Sequence, residues 1–228
     1  MGTIVLMGGN EFRPECVALD RGILGHIPQQ PPRVVVVPTA AAHERPAVAA
    51  QNGMRYFDAL GANSSAAMIV SRADANNAEI AAQFELADVV YLTGGNPWVL
   101  LDTLRNSRCW VAIERVWRSG GVVAGSSAGA MVLADRMWWN GQWTVSLGLA
   151  PRIAVLPHHR SSGELRPGAG LGKLGLLTIL GIPEATACLS EYGHVWSVVG
   201  QGKVVVYTDA GARVCAPGET FTLAEGER

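Results

Sequence analysis

Gly121-Val122-Val123-Ala124-Gly125-Ser126-Ser127-Ala128-Gly129-Ala130-Met131-Val132-Leu133 is the stretch from which the rest of the chain can be read. Its first four residues suit a buried strand, its centre is built from small residues, and Ala130–Leu133 is apolar enough to start a packed helix. The centre matches G-x-S-x-G. Small residues around the serine let the chain turn sharply from strand to helix and lift the hydroxyl of Ser127 at the C-terminal edge of a sheet. The free N–H groups and dipole of the helix start favour developing negative charge there. The N–H after such a serine, here that of Ala128, is the expected first oxyanion donor. The plainer reading is a small-residue helix start capped by Ser126 or Ser127.

Working outward, short runs rich in Val, Ile and Leu precede this unit at Thr3–Met7, Arg33–Val37, Ala67–Val70 and Val89–Leu92. They lack polar alternation, as strands do when both faces are covered. Between them the pattern predicts helices at Arg13–Gly25, Glu44–Leu60, Ala78–Ala87 and Pro97–Arg118, with Pro97 suited to a first turn. Alternating β and α elements predict right-handed crossovers and an α/β fold with a doubly wound, mostly parallel sheet flanked by helices. Downstream, Met137–Trp143 reads as an aromatic loop and Leu171–Leu180 as a further helix. Thr186–Ser190, Val195–Val199 and Lys203–Tyr207 read as antiparallel strands added near the C-terminus. No linker, repeat or low-complexity segment interrupts the chain, so one domain over 1–228 is expected.

Composition narrows the function. Of 228 residues 49% are apolar and 16% charged, which supplies a large core and excludes a disordered chain. The net charge is −1 with no basic run of five or more, so nucleic acid is not an expected partner. No stretch approaches the roughly 18 apolar residues of a membrane span, and no secretory signal is legible. Cys16, Cys109, Cys188 and Cys215 are scattered, which predicts reduced thiols, no metal and a cytoplasmic setting. No cofactor is implied, and a homodimer is left open.

A reactive serine needs a base, and only five histidines are available: His26, His43, His158, His159 and His194. His158 and His159 follow the strand-like Ile153–Leu156 and would emerge at a strand end. Glu184, just before a strand, is a candidate to orient the base; Glu191 and Asp135 are weaker ones.

Five blocks in order give these residues a family resemblance. They are Val34-Val35-Val36-Val37-Pro38-Thr39-Ala40-Ala41-Ala42, Tyr91-Leu92-Thr93-Gly94-Gly95-Asn96-Pro97-Trp98-Val99-Leu100-Leu101, Gly125-Ser126-Ser127-Ala128-Gly129-Ala130, Leu156-Pro157-His158-His159-Arg160 and Gly181-Ile182-Pro183-Glu184-Ala185-Thr186-Ala187. Together they resemble peptidase family S51, the group of aspartyl dipeptidase and cyanophycinase, with a class I glutamine amidotransferase-like fold. The resemblance implies a serine peptidase acting on small peptides, with Ser127 as nucleophile, His158 as general base and Glu184 as orienter. It implies Gly95 as the second oxyanion donor beside Ala128. Asn96, His159, Arg160 and Arg166 are the expected substrate contacts, an arginine being suited to bidentate grip of a carboxylate. Pro183 stands where the family usually has Asp, and Met137–Trp143 has no counterpart in the pattern.

Two other readings compete. An α/β-hydrolase esterase would use the same elbow but needs its acid before its histidine, which points to His194. An inactive domain of the same fold could bind a ligand or protein through Trp138, Trp139 and Trp143. Glutamine amidotransferase chemistry would require cysteine at position 127.

Overall fold

Runs of β-branched residues build the sheet that carries the molecule. The computed structural model describes residues 1–160, 175, 177–191 and 193–223. Its first half contains strands β1 (Thr3–Met7), β2 (Arg33–Val37), β3 (Asn63–Ala66), β4 (Val89–Leu92) and β5 (Val122–Ser126). Helices α1 (Val17–Gly25), α2 (Pro46–Ala59), α3 (Arg72–Ala75), α4 (Ala78–Ala82), α5 (Pro97–Leu104), α6 (Arg108–Arg118) and α7 (Ala128–Leu133) alternate with them. The five strands are parallel in the order β1-β5-β4-β2-β3. Side chains leave the two faces in strict alternation. Ile4, Leu6, Val35, Val90 and Val123 pack on Leu100, Leu104 and Ile113 of α5 and α6, whereas Val5, Val34, Val36, Tyr91 and Ala124 pack on Leu19 and Ile23 of α1 and Phe57 of α2. This is the two-sided burial expected of a doubly wound sheet.

The second half holds β6 (Arg136–Trp139), β7 (Gln142–Val145), β8 (Ile153–Leu156), β9 (Thr178–Gly181), β10 (Thr186–Ser190), β11 (Val195–Gly200), β12 (Val204–Thr208), β13 (Gly211–Cys215) and β14 (Thr220–Thr222). β10, β11 and β14 extend the main sheet antiparallel from β1. A separate four-stranded sheet runs β13-β12-β9-β8, in which β8 and β9 are parallel.

Several expectations change. The helix expected at Leu171–Leu180 falls partly outside the described residues, and its end is the buried strand β9. The expected aromatic loop at Met137–Trp143 is a hairpin. Asn140 and Gly141 take φ of +48° and +82°, the pair of positive values that a two-residue hairpin turn requires. Trp138 and Trp143 meet edge to face at 5.2 Å and cover Ala154, Ile179, Val205 and Tyr207 of the second sheet. The expected Pro97–Arg118 helix breaks at Arg105, whose ψ is 126°, and restarts where Ser107 Oγ accepts from Trp110 N–H. The edge strand is Asn63–Ala66 instead of Ala67–Val70; its half-polar alternation suits the rim of a sheet.

One buried polar pair joins α1 to α2: Tyr56 Oη donates to Asp20 Oδ2 at 2.7 Å. Burial pushes the Asp20 carboxyl up to about 7. No helix among the described residues is long and apolar enough to cross a membrane, and no cluster of three or more His, Cys, Asp or Glu among them could hold a metal ion.

Candidate active site

The C-terminal ends of β1, β4 and β5 lie side by side, the position where doubly wound sheets bind ligands. At the end of β5 the chain turns into α7 through Ser127, whose φ is +50° and ψ −107°. Such a backbone is costly for a serine and persists only where the surroundings fix it. Ser127 N–H donates to Met7 O at 3.0 Å, and its carbonyl accepts from Met131 N–H. The neighbours have no room for side chains: a Cβ on Gly125 would stand 2.4 Å from the Gly129 backbone, and one on Gly129 would stand 2.4 Å from Leu92 O. Small residues at these positions are thus a steric requirement of the turn.

The second sheet delivers the histidine. Beyond β8, His158 takes φ +53° and its N–H donates to Gly8 O at 2.8 Å, which ties it to the end of β1. Its Nε2 lies 2.8 Å from Ser127 Oγ, and its Nδ1 lies 2.9 Å from Glu184 Oε1. Glu184 sits in the turn between β9 and β10. Ala185 N–H donates to Gly9 O at 3.2 Å, and Thr186 Oγ1 donates to Glu184 O at 3.1 Å. The side chains of His158 and Glu184 remain 49% and 56% exposed, so the chain of hydrogen bonds opens to solvent. With Nδ1–H donated to the carboxylate, Nε2 is left as the acceptor for the serine hydroxyl.

The loop after β1 organises all of this, although the sequence alone assigns its residues no role. Gly8 and Gly9 supply the carbonyls just named. A Cβ on Gly9 would stand 2.3 Å from His158 Cε1. Asn10 and Phe12, at φ +66° and +63°, bend the loop so that Glu11 reaches two other turns. Glu11 Oε1 accepts from Gly94 N–H at 2.7 Å and Oε2 from Ser126 Oγ at 2.8 Å. The signal available in the sequence was an acidic residue after a Gly-Gly pair at a strand end, which alone has no fixed meaning.

The Gly94-Gly95 turn follows β4. Gly95 has φ +137°, and a Cβ there would meet Ala40 O at 2.4 Å. Gly94 N–H is taken by Glu11, whereas Gly95 N–H meets no acceptor among the described residues. Ala128 N–H heads α7, where a helix leaves its first donors unpaired. Asn96 is exposed beside this turn, but its Oδ1 caps α5 by accepting from Trp98 and Val99 N–H. His159 is drawn away from the serine: its ring is buried against Gly181, and Nε2 lies 3.0 Å from Tyr207 Oη. Burial lowers its pKa, which favours a neutral ring. Arg160 is exposed just beyond, and Arg166 lies outside the described residues. His194 and Glu191 follow the end of β10 that pairs with Ile4, at the opposite edge of the sheet from Ser127. The esterase order ending in His194 is therefore not assembled.

Comparison with known proteins gives a consistent picture. The family model described as Peptidase family S51 matches residues 4–167. A cyanophycinase of Trichormus variabilis is 24% identical over 221 residues, covering 89% of this chain and 72% of its own. An uncharacterized peptidase of Bacillus subtilis, YgaJ, is 26% identical over 177 residues, covering 73% of each. Among solved structures, a peptidase from an acI-B1 Actinobacterium superposes with a TM-score of 0.84 at 31% identity, covering 97% of both chains. A putative peptidase E protein from Listeria monocytogenes EGD-e, 20% identical with a TM-score of 0.63, covers 90% of this chain and 98% of its own and shares the fold.

Proposed function

Because the chain belongs to peptidase family S51 and is thus a serine-type peptidase, we propose that it cleaves small peptides, as a dipeptidase or isopeptidase, through an acyl-enzyme on Ser127. The observation that carries this reading is the continuous relay from Ser127 Oγ through the His158 ring to Glu184, with contacts of 2.8 and 2.9 Å. In the proposed reaction Ser127 Oγ attacks the amide carbonyl while His158 Nε2 takes its proton. The tetrahedral oxyanion accepts from the N–H groups of Gly95 and Ala128. The protonated imidazole, held by Glu184, then donates to the departing amine. Water repeats the sequence on the ester and frees Ser127.

The strained φ of Ser127 supports the role. A turn of this kind between strand and helix is the geometry that presents a nucleophilic hydroxyl to a substrate carbonyl, with the N–H of the next residue, here Ala128, as the proposed oxyanion donor. No cofactor enters the scheme.

A panel of dipeptides and isoaspartyl peptides, followed by chromatography of the released amino acids, tests the proposal. The wild type should hydrolyse at least one class and Ser127→Ala should lose that activity. Hydrolysis that survives in Ser127→Ala would refute the assignment of the nucleophile.

A further inference from the structure

Glu11 has no part in the proton relay, yet it is the side chain that touches both turns from which the oxyanion donors come. Its loop is separated in sequence by 83 residues from Gly94 and by 115 from Ser126, so these contacts are purely tertiary. Each contact lies one residue before a proposed reacting position: Gly94 precedes Gly95, and Ser126 precedes Ser127 and its neighbour Ala128. Ser126 is fully buried, and its hydroxyl donates to the carboxylate. A Cβ on Gly94 would stand 2.6 Å from Glu11 Oε1, so the glycine is what admits the carboxylate to that N–H.

The sign of the charge decides what this group can do. A carboxylate near a developing oxyanion opposes it, so Glu11 does not act by electrostatic stabilisation. Its benefit must be geometric: two charge-assisted hydrogen bonds tie one turn to the other. We propose that Glu11 is a positioning residue that sets the spacing between the Gly95 and Ala128 N–H groups. By taking up Gly94 N–H it also leaves Gly95 N–H as the open donor of that turn. The inference rests on the acyl-transfer reading above but makes a separate structural claim.

Glu11→Gln and Glu11→Ala separate the two. Glutamine keeps an acceptor for Gly94 N–H, and its amide N–H can donate to Ser126 Oγ, so it should retain most of the rate of fluorophosphonate labelling at Ser127 and of peptide turnover. Alanine should slow both on the order of 10- to 100-fold through kcat with little change in KM, because an oxyanion donor displaced by a fraction of an ångström loses much of its effect. The pH dependence of labelling should stay that of the wild type, since the His158–Glu184 pair is untouched. A crystal structure of Glu11→Ala should show the Gly94-Gly95 turn displaced from the Ser126-Ser127 elbow. Equal rates for alanine and glutamine, or turns that hold their positions without the carboxylate, would overturn the proposal. The crystal structure judges the tie even if Ser127 proves unreactive, in which case the acyl-transfer reading alone fails. Should Glu11→Ala not fold, Ser126→Ala removes one of the two ties and should give a smaller loss of the same kind.

Discussion

Gly9→Ala should disable the enzyme through one methyl group. The new Cβ would stand 2.3 Å from His158 Cε1 and 2.8 Å from Nδ1, whereas ordinary contact begins near 3.4 Å. The ring must therefore retreat by about 1 Å, a displacement of the size that costs on the order of 10²-fold in rate. It cannot retreat and keep both its 2.8 Å contact to Ser127 and its 2.9 Å contact to Glu184. The same substitution puts alanine at φ +122°, which costs about 1–3 kcal/mol and should lower Tm by several degrees. Gly61→Ala separates the two effects: its φ is +91°, but nothing lies within 4 Å of its Cβ. The assay is the second-order rate of fluorophosphonate labelling at Ser127, measured well below both melting temperatures. Gly9→Ala should label about 100-fold more slowly, while Gly61→Ala should label normally despite a reduced Tm. Normal labelling of Gly9→Ala would refute the claim that the β1 loop fixes the imidazole.

Two further outcomes follow from other parts of the molecule. Glu184→Gln should preserve the fold but present its amide to Nδ1 and favour the wrong tautomer, slowing turnover by about 10²- to 10⁴-fold; steady-state kinetics on any accepted peptide would expose an unaffected rate. Asp20 has its folded pKa raised to about 7 from 3.8, so the stability it contributes is fully present below about pH 4 and is lost as pH rises through 7. Asp20→Asn, which still accepts from Tyr56 Oη, should melt higher than the wild type at pH 8, by up to about 3–4 kcal/mol in stability, with little difference at pH 4. Parallel melting curves at both pH values would contradict the buried-carboxyl account.

The parallel half of the fold was legible because its strands are covered on both faces, and two-sided burial leaves unbroken apolar runs such as Val34–Val37 and Val89–Leu92. The elbow was legible because its steric demands permit only small residues at Gly125 and Gly129. His158 and Glu184 were read from strand ends and from the family pattern, and the structure sets His158 against Ser127 and Glu184 against His158. Where the reading went astray, the deciding contact was distant in sequence. Thr178–Gly181 is apolar in a way that suits helix or strand, and pairing with β8 and β12 selects strand. The Trp138–Trp143 segment looked like a loop because tryptophans hid the Asn140-Gly141 turn signal. His159 lies next to His158, the proposed base, and its contact with Tyr207 on β12, which the sequence does not reveal, accompanies its turn inward. Glu11 was invisible for the same reason, since its meaning comes from partners 83 and 115 residues away.

The most direct test of the account is to treat the protein with a fluorophosphonate and locate the adduct by mass spectrometry, with Ser127→Ala alongside. A single adduct on Ser127 that is absent from the variant is the expected result. A folded wild-type protein that carries no adduct, or carries it on another residue, would contradict the claim that Ser127 is an activated nucleophile.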